Sequence, residues 1–63
     1  MNWTEYNGWS IRAHQQIDHP AYLRFVAYAK RDVKGVTHMF NVEGDTLEQA
    51  IARIKSAVDG RAR

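Results

Sequence analysis

His14, His19 and His38 are the three imidazoles of the chain, and there is no cysteine. A zinc-type site would need two or three of these side chains to converge with a carboxylate. Their spacing offers no i, i+4 pair on a helix, and His19 is followed by Pro20. The pattern reads as separate surface or strand-edge histidines, with neither metal nor cofactor. Nucleophilic chemistry finds no better support. Ser10 and Ser56 lack a glycine-rich elbow, the seven carboxylates are scattered, and no phosphate-cradling glycine loop is present. No catalytic residue is assigned, and a non-enzyme is expected.

Cations give a stronger pattern. Arg12, Arg24, Lys30, Arg31 and Lys34 concentrate in the middle of the chain, with Tyr22 and Tyr28 among them. On a sheet, such residues would contact phosphates while the rings stack on bases. The competing reading is a solvated strand edge, where Lys and Arg obstruct edge-to-edge pairing. The aromatic order differs from the ribonucleoprotein signature, and the formal net charge is only +2, from nine basic and seven acidic residues. Nucleic acid is therefore the alternative partner for Arg12, Arg24, Tyr28, Lys30, Arg31 and Lys34.

The elements that would position these residues follow from periodicity. Sixty-three residues allow one domain, residues 1–63. A chain of this size buries about 60% of the surface that its unfolded form exposes, so a second copy would usefully enlarge the core. The start, Met1-Asn2-Trp3-Thr4, has no basic or apolar signal region, and the run Phe25–Ala29 is too short to span a bilayer. A cytoplasmic protein is expected.

Asn7-Gly8 is a hairpin signal, because both residues tolerate the positive φ of a type I′ turn. It separates Trp3–Tyr6 from Trp9–His14, where Trp9, Ile11 and Ala13 alternate with polar residues. Trp3, Tyr6 and Trp9, flanking the turn, read as cross-strand and core aromatics. Asp18-His19-Pro20 predicts a loop. Tyr22–Lys30 predicts the longest strand, Asp32–Gly35 a turn, and Thr37–Glu43 a fourth strand. From Gly44-Asp45 onward the period becomes helical, with Leu47, Ala50, Ile51, Ile54 and Val58 on one stripe. Thr46 with Gln49, or Asp45 with Glu48, forms a capping box. Gly60 is expected to stop the helix as its C′ residue, and Arg61-Ala62-Arg63 to form a basic tail. The fold is α+β: a three- to four-stranded antiparallel meander with one C-terminal amphipathic helix on one face, ββββα.

Two registers of the third and fourth strands remain open. A turn centred on Val33-Lys34 sets Phe25 opposite Val42 and Ala27 opposite Phe40, leaving Arg24, Val26, Tyr28, Met39 and Glu43 outside. A bulge at Gly35 sets Tyr28 opposite Phe40 and Val26 opposite Val42, and turns Leu23, Phe25, Ala27, Ala29 and Met39 outward. A one-residue slip exchanges the faces. The third strand is apolar on both sides and one helix covers one side. The second face is therefore expected to meet another copy of the chain, through Tyr22, Val26, Tyr28 and Met39.

Two resemblances bear on this reading. Tyr6-Asn7-Gly8-Trp9-Ser10-Ile11, with Phe25-Val26-Ala27-Tyr28-Ala29, resembles short uncharacterised bacterial proteins that have a Y-x-G-aromatic-x-I opening, an antiparallel sheet and a terminal helix. Gly44-Asp45-Thr46-Leu47-Glu48-Gln49-Ala50, with Ala57-Val58-Asp59, is similar to the strand-to-helix junction of HicB-type antitoxin domains. That likeness covers the last third of the chain and implies a toxin partner. The chain lacks the Pro-Gly segment usual between HicB strands and shows no separate DNA-binding element. No functional residue is carried over. The leading expectation is a non-enzymatic, homodimeric interaction module using an open sheet face or edge. Nucleic-acid binding and an antitoxin-like role are the alternatives; neither a membrane nor a metal is an expected partner.

Overall fold

The computed structural model describes residues 3–19 and 22–61, with side chains described except at 17–19 and 22–23. Four strands, β1 (Thr4–Tyr6), β2 (Trp9–His19), β3 (Tyr22–Val33) and β4 (Val36–Gly44), are followed by one helix, α1 (Leu47–Arg61). The strands lie in one antiparallel sheet in chain order, β1-β2-β3-β4. The expected ββββα meander is the observed fold. No helix among the described residues is long and apolar enough to cross a membrane.

Both tight turns have two central residues with positive φ: Asn7 at 48° and Gly8 at 85°, then Lys34 at 51° and Gly35 at 81°. This is the pattern of the type I′ turn, whose twist matches that of the flanking strands. The second turn is thus centred one residue later than Val33-Lys34, without a bulge. It pairs Val33 with Val36, Ala27 with Val42 and Ala29 with Phe40. Neither expected register is the observed one. The shift from the symmetric alternative is two residues, however, so the faces are the ones that alternative assigned. Phe25, Ala27 and Ala29 face the helix, and Arg24, Val26 and Tyr28 face away. β2 also continues past His14, pairing Gln15 with Phe25 and Gln16 with Arg24, before a register irregularity between Gln16 and His19. Asp18 and His19 therefore belong to a strand rather than to the expected loop, and Pro20 lies outside the described residues.

The core joins the inner face of the sheet to α1. Trp9, Ile11, Ala13, Ala27, Ala29, Ala50, Ile54 and Val58 are buried together, with Tyr6, Phe25, Phe40, Val42 and Ile51 packed around them. Each fully buried Ile or Val contributes on the order of 1.5–3 kcal/mol. Leu47, expected on the buried stripe, is 43% exposed. It falls beyond the three-residue β1, where the sheet is too narrow to cover the start of the helix.

The helix start is fastened by Thr46 and Gln49. The Gln49 N–H donates to Thr46 Oγ1 at 3.0 Å, and Gln49 Oε1 accepts from the Asp45 N–H at 2.6 Å. Thr46 is thus the N-cap, and Gln49 makes a variant of the capping box by reaching one residue further back, to the Asp45 N–H instead of that of Thr46. Gly60 does not stop the helix. It lies inside α1, which runs on to Arg61. A glycine permits the left-handed C′ conformation but does not force it.

Gly44 is required for a different reason. A Cβ placed there would lie 2.6 Å from the Ala50 backbone nitrogen and 3.0 Å from its Cα. The end of β4 and the first turn of α1 are in backbone contact, so Gly44→Ala must push the helix from the sheet. A loss of about 1–3 kcal/mol is expected in urea unfolding. Gly60→Ala meets nothing within 4 Å. It should instead stabilise the helix, by up to about 1 kcal/mol.

Candidate functional site

Alternation along the strands distributes the cations of the middle strands over two faces and a turn. On the outer face, Lys30 Nζ lies 4.3 Å from the Trp3 ring centroid and the Arg12 guanidinium lies 5.2 Å from it. Both cations thus share one indole. His14 and Tyr28 stack on each other, with centroids 5.4 Å apart and planes 22° apart. Arg24 donates to Glu43 at 3.0 Å across β3 and β4, an exposed ion pair. Lys34 sits in the second turn, and Arg31 faces the helix side. The six residues expected to form a nucleic-acid surface therefore do not form one patch. Arg12, Arg24, Tyr28 and Lys30 share a face, and there each contacts a ring or carboxylate of its own chain.

The outer face differs in character from the apolar dimer surface that was expected. Val26 is only 3% exposed, shielded by its own neighbours, so it offers no surface to a partner. Tyr28 is half-buried against His14. Met39 remains open, at 56% exposure, while the Tyr22 side chain lies outside the described residues. Arg12 Nε and His14 Nδ1 are buried without a hydrogen-bond partner among the described residues.

A feature that the sequence reading did not assemble stands on the opposite face, beyond the last turn of α1. Arg31 pairs with His38 across β3 and β4. One step on from the Ser10–Lys30 pair, Trp9 lies on the other side of Arg31. The Arg31 guanidinium is 4.7 Å from the Trp9 ring centroid, and that of Arg61 is 3.9 Å from the Phe40 centroid. The two rings meet edge to face, with centroids 5.2 Å apart. Together with Thr37 and Met39 these residues line an open cavity of about 580 Å³. Arg61 is thus the last described residue of the helix rather than part of a tail. Period-two alternation was the available signal: adjacent Lys30 and Arg31 must point to opposite faces.

The third feature is the free edge. β4 is the outermost strand, and Val36 and Met39 on it are 58% and 56% exposed. In a two-residue hairpin the flanking pair, here Val33 and Val36, exchanges both main-chain hydrogen bonds. Residues 36, 38, 40 and 42 then bond to β3, while 37, 39, 41 and 43 direct their main-chain groups away from it. Arg53 confirms the parity, since its Nη1 donates to the Glu43 carbonyl at 2.7 Å. On the opposite side of α1, beside the short β1, a more apolar groove of about 380 Å³ runs between Ile11 and Ala13 of β2 and Leu47 and Ile51 of the helix.

Comparison with family models, with curated proteins and with solved structures found no match for this chain.

One titratable contact fastens the helix end beside the cavity. The Tyr6 hydroxyl donates to Asp59 Oδ2 at 2.9 Å, and Asn7 Nδ2 donates to Oδ1 of the same carboxylate at 2.7 Å. The bond to Asp59, helped by desolvation and by the carboxylate charge, raises the Tyr6 phenol above its ordinary value of 10.0. The folded state therefore binds this proton more tightly than the unfolded state does. The stabilisation is fully present below pH 10 and is lost as pH rises through the raised value. In an ultraviolet tyrosinate titration, the component removed by Tyr6→Phe should lie above 10.0 in the wild type and move back down in Asp59→Asn.

Proposed function

We propose that this chain is a non-catalytic interaction module that joins a second copy of itself edge to edge through β4. The carrying observation is the condition of that edge. From Val36 to Val42 it contains no Lys, Arg or Pro, and its register with β3 is uninterrupted. These are the devices by which sheets discourage pairing at an open edge. The outer face is the weaker candidate, because its cations and rings already contact one another.

The edge also favours one register. Arg53 occupies the Glu43 carbonyl, so the outward main-chain groups available for pairing belong to Thr37, Met39 and Asn41. An antiparallel pair that uses only these places the two-fold axis at Met39. Each Thr37 then faces Asn41 of the second copy. The same register sets Val36 beside Val42 of the second copy and Phe40 beside its His38. Exposed Val36 thereby gains an apolar neighbour. A pair centred between Met39 and Asn41 would require the Glu43 carbonyl and compete with Arg53.

Sedimentation equilibrium at micromolar concentration should return the mass of two chains. Met39→Lys sets two ammonium groups across the axis and should return the mass of one chain with the circular dichroism of the sheet intact. The chain has no cysteine of its own, so single-cysteine variants report the register. Hydrogen-bonded antiparallel partners lie about 5.5 Å apart at Cα, within disulfide reach. Met39→Cys should therefore link to itself on oxidation and Asn41→Cys should not. A single-chain mass for the wild type at several hundred micromolar would overturn the reading, and linkage of Asn41→Cys alone would overturn the register.

A further inference from the structure

We propose that the cavity at the C-terminal end of α1 binds the dianionic phosphate group of a small organic phosphomonoester. Arg31 and Arg61 would hold the phosphate, His38 would stand beside it, and Met39 with the open part of Phe40 would take the organic part. The two arginines come from β3 and α1, while Thr37, His38, Met39 and Phe40 of β4 complete the lining, so the site borders the edge proposed to pair.

Arg31 and Arg61 line the same open cavity, and none of its lining residues is a carboxylate. Among the described residues, neither arginine has an ion-pair partner; the ion pair found there joins Arg24 to Glu43. Asp59 and Asp32 keep their charge but accept from Tyr6 and Asn7, and from the Thr37 hydroxyl, rather than from either arginine. Two guanidiniums facing one space repel each other, and a dianion converts that repulsion into two attractions. The carbonyl end of α1 carries about half a negative charge. That offsets part of one arginine and leaves the cavity positive.

Each guanidinium lies over an aromatic ring, Arg31 at 4.7 Å from the Trp9 centroid and Arg61 at 3.9 Å from that of Phe40. A ring contact uses the face of the guanidinium and leaves its N–H edge free to form the paired donor fork that suits phosphate oxygens. Trp9 is 3% exposed, which anchors the ring beneath Arg31. About 580 Å³ exceeds what a bare phosphate needs and lies in the range of small-ligand pockets. Exposed Met39 and the margin of Phe40 beside the paired cations fit an ester better than the free ion.

The test is a two-dimensional NMR titration of the full chain at constant ionic strength, with phenyl phosphate, inorganic phosphate and benzoate as probes. Phenyl phosphate should shift the Arg31 and Arg61 Nε–H resonances and the Trp9 indole N–H, while the Trp3 indole on the other face stays in place. Inorganic phosphate should shift the same arginines with at least severalfold weaker affinity, and benzoate should bind more weakly than phenyl phosphate. Arg31→Gln and Arg61→Gln should each weaken phenyl phosphate about tenfold or more, while Lys34→Gln, in the neighbouring turn, should leave it unchanged. Three results would overturn the proposal: no saturable shift at Arg31 and Arg61 up to about 10 mM phenyl phosphate, an equal response to benzoate, or equal loss in Lys34→Gln. Inorganic phosphate binding as tightly as phenyl phosphate would overturn the ester assignment.

Discussion

The close seating of α1 on the sheet governs the rest of the molecule. Ala27, Ala29 and Ala50 are fully buried where helix and strands meet, and Gly44 lets the backbone of β4 touch the first helical turn. Small residues at the contact bring the two layers together, while Ile54, Val58, Ile11 and Trp9 supply bulk. A chain of this length has few apolar residues with which to fill a core, so a short distance between layers reduces the volume to be filled. The same seating brings Arg53 within reach of the Glu43 carbonyl and lays Arg61 over Phe40. The free part of the edge and the basic cavity both take their limits from the position of the helix.

The two faces of the sheet solve burial differently. The inner face is covered by an apolar stripe. Among the described residues the outer face is covered in part by its own long side chains, which lie across one another. Trp3 receives Arg12 and Lys30, Tyr28 receives His14, and Val26 is shielded beneath its neighbours. Stems of Arg and Lys bury apolar surface while their charged ends stay wet. A strand that reads as apolar on both sides can therefore be accommodated without a second layer.

Much of the fold was legible because the signals were local. Asn7-Gly8, the change of period at Gly44-Asp45 and the Thr46–Gln49 cap all act within a few residues, and each matches the structure. The second turn was not legible to the residue, since lysine seldom adopts positive φ and Lys34 does so under the constraint of its strands. The resulting shift of two residues changed every partner of β3 and β4 yet preserved every face. Gly60 misled because a permissive residue is not an instruction. The candidate site was less legible than the fold. The separation of Arg31 from Lys30 follows from alternation alone. Its association with Arg61, thirty positions away, depends on where the helix ends over the sheet.

The bond of Asp59 to Tyr6 and Asn7 gives the chain a particular order of assembly. Every strand pairs with its neighbour in sequence through a tight turn or a short connection, so the sheet can grow by local steps, each closing a small loop. The Tyr6–Asp59 and Asn7–Asp59 contacts instead span 53 and 52 residues. Loop-closure entropy makes contacts of that span unfavourable until the intervening structure exists. The first hairpin turn and the last turns of the helix thus meet as a clasp that shuts late in folding. Weakening this clasp should speed opening of the native state more than it slows its formation.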